Sequence, residues 1–127
     1  GRIIVWQRKG WCALFSPIFL KAKARLKAIM NDKVLYADGL TAEELSSRLN
    51  LIAGNKWYME DDLSKQDRQT DWDLLNCEMY IYLKLGVHPD VISLWRNTHD
   101  MWRFKGTYVS GVLDAMRLTG QATTALE

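Results

Sequence analysis

The sequence of 127 residues is poor in the residues that build metal centres and disulfide frameworks, with two cysteines and two histidines. Cys12 and Cys77 are 65 positions apart, and no CxxC occurs. A structural zinc site and a secreted disulfide scaffold are therefore not expected, and a reducing compartment fits. With two prolines and eight glycines, the chain shows no flexible linker, internal repeat or low-complexity tract. No run approaches the roughly 20 apolar residues needed to cross a bilayer. Arg8 and Lys9 interrupt the apolar start, so no signal peptide is expected. Both ends read as cut, one inside a strand-like run and the other inside a helix.

What remains is ordinary globular material, 48% hydrophobic and 25% charged. That suffices for one core. The net charge of +2, from 17 basic and 15 acidic residues, is too small to imply nucleic-acid binding by itself. Its distribution is uneven. Between Arg2 and Lys33 the only acid is Asp32, whereas Glu43, Glu44, Glu60, Asp61, Asp62, Asp67, Asp71 and Asp73 follow. Such asymmetry can set a cationic wall opposite an acidic centre, although solvated faces carry the same charges.

Local signals predict an α+β fold. Arg2 to Trp6 reads as a strand. Ser16-Pro17 marks a helix start, with Ile18, Ala22, Leu26 and Ile29 on one face and Lys21, Lys23, Arg25 and Lys27 mainly outside it. Asn31-Asp32 and Asp38-Gly39 bracket a short Val34-Leu35-Tyr36 run. Thr41-Ala42-Glu43-Glu44 is a capping box that opens a second helix, ended at Gly54-Asn55. Trp57-Tyr58-Met59 reads as a short strand delivering Glu60, Asp61 and Asp62. A helix is expected from about Asp67 or Asp71 to Leu85, stopped by Gly86, and Pro89 starts another. Trp102-Arg103-Phe104 and Tyr108-Val109 flank Lys105-Gly106-Thr107 as a hairpin, with a Ser110-Gly111 loop beyond. A further helix is expected over 121–126. Trp6 and Trp11 read as core packing.

Two stretches carry chemistry. In Asp62-Leu63-Ser64-Lys65-Gln66-Asp67 one acid ends a strand and the other opens a helix. A carboxylate at a strand end can hold a hard cation such as Mg²⁺ beside phosphate oxygens. The same acids could simply end a strand and favour a helix dipole. In Arg117-Leu118-Thr119-Gly120-Gln121-Ala122-Thr123-Thr124, glycine lets the backbone approach a ligand, and hydroxyls and an amide can bond sugar or phosphate. An ordinary glycine turn with a capping threonine looks no different.

Together and in this order, these stretches resemble motifs A and B of the RNA-dependent RNA polymerases of positive-strand RNA viruses, best those of the alphavirus-like supergroup. Motif A there is D-x4-D, here Asp62 to Asp67; motif B is Thr-Gly or Ser-Gly, three residues, then Thr, here Thr119, Gly120 and Thr124. Trp6 to Gly10 and Ala13 to Pro17 resemble the segment before the palm. Gln66 replaces a common aromatic residue. Glu127 stands in place of a common glycine, just before where the motif B asparagine would fall.

The resemblance implies part of the palm of a right-hand polymerase, with residues 1–56 a fingers or palm-proximal segment and 57–127 a partial palm. It implies Asp62 as catalytic residue and metal ligand for Mg²⁺, with Mn²⁺ as substitute, and Asp67 as a catalytic residue that also recognises the nucleotide ribose. Thr119, Gly120 and Thr124 would bind substrate, and Arg8 or Lys9 would face the triphosphate. Template-directed ribonucleotide transfer to an RNA 3′-hydroxyl with two Mg²⁺ ions is the implied reaction. RNA template and nascent strand, ribonucleoside triphosphates and the capping and helicase domains of a replicase are the implied partners. The implied place is host cytoplasm, in membrane-associated replication complexes. Motif C, the Gly-Asp-Asp turn, is not in the sequence, so the fragment alone is expected to be inactive. The rivals are a reverse transcriptase-like palm enzyme, which a downstream Tyr-x-Asp-Asp would favour, and an inactive RNA-binding or endogenous viral fragment.

Overall fold

The computed structural model describes residues 5–52, 54 and 57–118. Their elements are helices α1 (Lys9–Ile29), α2 (Ala42–Ile52), α3 (Gln66–Gln69), α4 (Trp72–Lys84) and α5 (Pro89–Asn97), then strands β1 (Trp102–Lys105) and β2 (Ser110–Leu113). Mixed helices with a small antiparallel sheet bear out the α+β expectation. The expected strand over 2–6 and helix over 121–126 fall wholly or mostly outside the described residues.

Helix α1 starts at Lys9, not at Ser16-Pro17, and runs through Pro17. The Arg8 carbonyl accepts the first amides, from Trp11 at 3.1 Å and Cys12 at 3.3 Å. Proline inside a helix removes one amide, but Ala13, four residues back, is exposed, so the orphaned carbonyl lies on the wet side. Packing compensates, because the earlier turns bring Phe15 into line with Phe19 and Ala22, all buried. Ile18 and Leu26 pack at the edge of that stripe, whereas Ile29 is exposed rather than buried. Trp6 is exposed too, and Trp11 lies on the rim, its ring stacked on Phe15 at 5.8 Å.

The core joins α1 to α4 and α5. Phe19 meets the Tyr82 ring at 4.9 Å and Trp95 at 5.8 Å, and Tyr82 meets Trp95 edge-on at 5.4 Å. Edge-to-face contacts of this kind contribute about 0.5–1.5 kcal/mol each beyond area burial. Leu75, Leu85, Val87, Ile92 and Ala115 complete the cluster.

Of the two expected starts, Asp71 is the one found, for α4 begins directly after it, while Asp67 lies on the separate short α3. Asp71 caps α4, its carboxylate accepting from the Leu74 amide at 2.9 Å. At the other end Gly86 has φ +88°, and the amides of Gly86 and Val87 reach back to Leu83 and Tyr82. This is the Schellman stop that glycine permits. Arg25 Nη1 donates to the Leu85 carbonyl at 2.7 Å, lying where a Cβ on Gly86 would stand. His88 caps α5 by accepting from the Asp90 amide, with Pro89 at the first turn.

The capping box of α2 is reciprocal: Thr41 Oγ1 accepts from the Glu44 amide at 3.2 Å, and Glu44 Oε2 from the Thr41 amide at 3.0 Å. Before it, Asn31 and Asp38-Gly39 form turns as expected. Lys23 pairs with Asp38 at 2.7 Å and Lys27 at 3.6 Å. Much of the basic face of α1 is thus engaged within the chain.

The hairpin forms with a later second strand than expected. Trp102 pairs with Leu113 and Phe104 with Gly111, so Ser110-Gly111 is strand, and Tyr108-Val109 belongs to the loop. The Phe104 ring fills the space over Gly111, where an added Cβ would come within 2.9 Å of it. That cover offsets the weak packing of glycine in a strand. The strand expected at Trp57-Tyr58-Met59 is absent. These residues are exposed, Trp57 by 90%, and no described strand pairs with them.

Candidate active site

Asp62 lies in the irregular stretch that leads from residue 57 into α3. Its carboxylate is exposed and makes no hydrogen bond or ion pair with any described residue. Two residues on, the chain turns sharply. Lys65 adopts a left-handed conformation with φ 55°, which costs a residue with a Cβ about 1–2 kcal/mol. The turn is held by Gln69 Nε2 donating to the Ser64 carbonyl at 2.6 Å, and by the Arg68 amide donating to the Lys65 carbonyl at 2.9 Å. Asp67 follows as the second residue of α3, half-buried. A strained backbone held by local bonds is typical of functional turns.

The structure then brings the far end of the described chain back to this turn. After β2, Ala115 takes φ 55° and its amide donates to the His99 carbonyl at 3.0 Å. The Arg117 amide next donates to the Asp67 carbonyl at 3.2 Å. The segment leading to Thr119 and Gly120 is therefore tied to the helix that bears Asp67. Thr119, Gly120 and Thr124 themselves lie outside the described residues.

Beneath this tie is a buried ion pair that sequence reading did not single out. Arg117 Nη2 donates to Glu78 Oε1 at 2.8 Å, with Arg117 3% and Glu78 8% exposed. Glu78 sits on the inward face of α4 between Leu75 and Tyr82. A charge in that stripe at helical spacing is the signal that marks it. Burial pushes the Glu78 carboxyl up to about 7, although the Arg117 guanidinium pulls it the other way. Burial likewise lowers Arg117, which Glu78, Tyr82 and Asp67 oppose.

A carboxyl whose folded pKa is raised binds more protons folded than unfolded between about pH 4.5 and 7, so its contribution to stability falls as pH rises through that window. Glu78→Gln should flatten the pH dependence of the unfolding midpoint between pH 5 and 7.5. An unchanged slope in the variant would show that Glu78 is ionised throughout.

Arg8 and Lys9 stand at the start of α1, both exposed. No hydrogen bond or ion pair joins them to Asp62 or Asp67 among the described residues. A cleft of about 560 Å³ between the end of α1, the 31–40 loop and α2 includes none of these four residues. It is open, and neither Asp62 nor Asp67 lines it. Among the described residues no three His, Cys, Asp or Glu side chains converge as a metal cluster. As donor chemistry, the free Asp62 carboxylate fits one position of a hard cation's shell.

The α+β chain thus has an acid before a strained turn, a second acid on the following short helix, and a returning segment bonded to that helix. A family model described as RNA dependent RNA polymerase matches residues 1–126, and the chain belongs to that family. It is 26% identical over 125 residues, 97% of its length, to "RNA-directed RNA polymerase 2a" of Tobacco streak virus (strain WC). It is 33% identical over 115 residues, 87% of its length, to the protein of the same name from Alfalfa mosaic virus. Over 96 residues, 73% of its length, it is 33% identical to "Replicase polyprotein 1ab" of Grapevine leafroll-associated virus 3 (isolate United States/NY1). The chain spans 16%, 14% and 4% of the lengths of these three relatives. No solved structure matches.

Proposed function

We propose that this chain forms part of the palm of an RNA-directed RNA polymerase, residues 57–127 bearing motifs A and B and residues 1–56 the segment before them. The observation that carries the reading is the backbone bond from Arg117 to Asp67, which joins the approach to the second motif to the helix of the first. The family match over residues 1–126 supports it.

In this reading Asp62 is a ligand for Mg²⁺, or for Mn²⁺ in its place. Held there and at acids elsewhere in the polymerase, two such ions would supply positive charge for the triphosphate and for ionising the attacking hydroxyl. Asp67 accepts a hydrogen bond from the 2′-hydroxyl of the incoming ribonucleotide, the group that distinguishes RNA from DNA. Arg8 or Lys9, at the amide-rich start of α1, faces the triphosphate. Thr119, Gly120 and Thr124 line the ribose and template side. The partners are RNA template and nascent strand, ribonucleoside triphosphates and other replicase domains. The place of action is host cytoplasm, in membrane-associated replication complexes; no described helix is long and apolar enough to cross a membrane.

The test is RNA synthesis by the full-length polymerase that carries this chain. Template-directed incorporation should require magnesium, cease on chelation and return when the ion is restored. Incorporation that persists at undiminished rate after exhaustive chelation would contradict the assignment.

A further inference from the structure

The Glu78–Arg117 pair has no place in the reading above, and its position invites one. Arg117 meets the acid turn through its backbone, the amide holding the Asp67 carbonyl at 3.2 Å. The guanidinium is fixed in turn by Glu78, whose Oε1 accepts from Nη2 at 2.8 Å. Glu78 sits on α4, with Leu75 and Tyr82 buried on the same face. Through these contacts the buried face of α4 reaches the Asp67 carbonyl by way of Glu78 and Arg117.

A buried ion pair is a poor way to gain stability. Desolvating two charges costs about as much as their attraction returns, and an apolar pair of similar volume often does better. Geometry is what such a pair supplies. A guanidinium held on a helix within the core cannot drift, and neither can the backbone two residues before Thr119. The helix that bears Asp67 offers little anchorage of its own, being four residues long with none of them buried.

We infer that Arg117, seated on Glu78, is a positioning residue for ribose recognition, holding Asp67 and the approach to Thr119 and Gly120 in register. The inference rests on the ribose role given to Asp67 above. It concerns how tightly the polymerase prefers ribonucleotides, not whether it polymerises.

The experiment uses the full-length polymerase and compares incorporation efficiency for a ribonucleoside triphosphate and its 2′-deoxy counterpart. Arg117→Met should narrow that ratio by roughly tenfold to a hundredfold, the scale of a misplacement of about 1 Å, chiefly through a higher ribonucleotide KM. Arg117→Lys, which keeps the charge but not the planar fork, should recover part of the loss. If Arg117→Met yields no folded enzyme, Glu78→Gln keeps the side-chain shape and one acceptor oxygen, and should narrow the ratio in the same direction. Should these variants only unfold at lower temperature, with ratio and KM unchanged in the active fraction, the pair is structural and the inference is overturned. Asp67→Ala run alongside separates the two levels. If it narrows the ratio and the Arg117 and Glu78 variants do not, positioning alone fails. If it too leaves the ratio unchanged, the ribose assignment itself falls.

Discussion

Asp62→Asn should lower nucleotide incorporation by the full-length polymerase by about 10³-fold or more while leaving its unfolding midpoint within a degree or two. The chemical side follows from charge. Asparagine offers one neutral oxygen where aspartate offers an anion, and a metal's share of transition-state stabilisation is several kcal/mol; about 4 kcal/mol corresponds to roughly 10³ in rate. The stability side follows from the structure. Asp62 is exposed and makes no hydrogen bond or ion pair with the described residues, so its replacement belongs with surface changes of about ±0.5 kcal/mol. Paired single-turnover rates and melting curves check both halves. A variant that incorporates at near-normal rate removes Asp62 from the metal site, and one that unfolds early shows a structural role that the described contacts do not contain.

Asp67→Ala is expected to act on choice more than on speed. A hydrogen bond to a charged acceptor contributes about 1.5–3 kcal/mol, so losing one that only ribose makes should narrow ribo-over-deoxy selectivity by roughly 10- to 100-fold. The fold should tolerate it, because what Arg117 holds is the Asp67 backbone carbonyl, which alanine keeps. The comparison is kcat/KM for the two sugars with the same base and template. Equal losses for both would mean that Asp67 serves the reaction generally, and no change would remove it from the sugar.

The features legible in the sequence were those with a local cause. Thr41 and Glu44 cap each other three residues apart, Gly86 stops α4 with a positive φ, and Pro89 opens α5. Each needs only its neighbours. The start of α1 was misread for the opposite reason. Ser16-Pro17 is a sound local start signal, but burying Phe15 with Phe19 extends the helix back to Lys9, and tertiary packing overrides the local preference. The hairpin was expected and its second strand misplaced, because Phe104 covers Gly111 and turns a loop-like Ser-Gly into strand. Trp57-Tyr58-Met59 has strand-forming residues but no described partner, and a strand is a property of two segments rather than one.

The candidate site divides along the same line. Asp62 and Asp67 could be named from spacing, and Arg117 stood in the second motif without a role. That Arg117 reaches back across the fold to Glu78 and to the Asp67 carbonyl is a long-range fact. Only the out-of-place charge between Leu75 and Tyr82 hinted at it.

The most direct test of the metal assignment is anomalous diffraction at the manganese edge, from crystals of the full-length polymerase holding RNA, a non-hydrolysable ribonucleotide and Mn²⁺. A manganese peak is expected within coordination distance of an Asp62 carboxylate oxygen, beside the nucleotide phosphates. A manganese ion bound at the phosphates with Asp62 turned to solvent would contradict it.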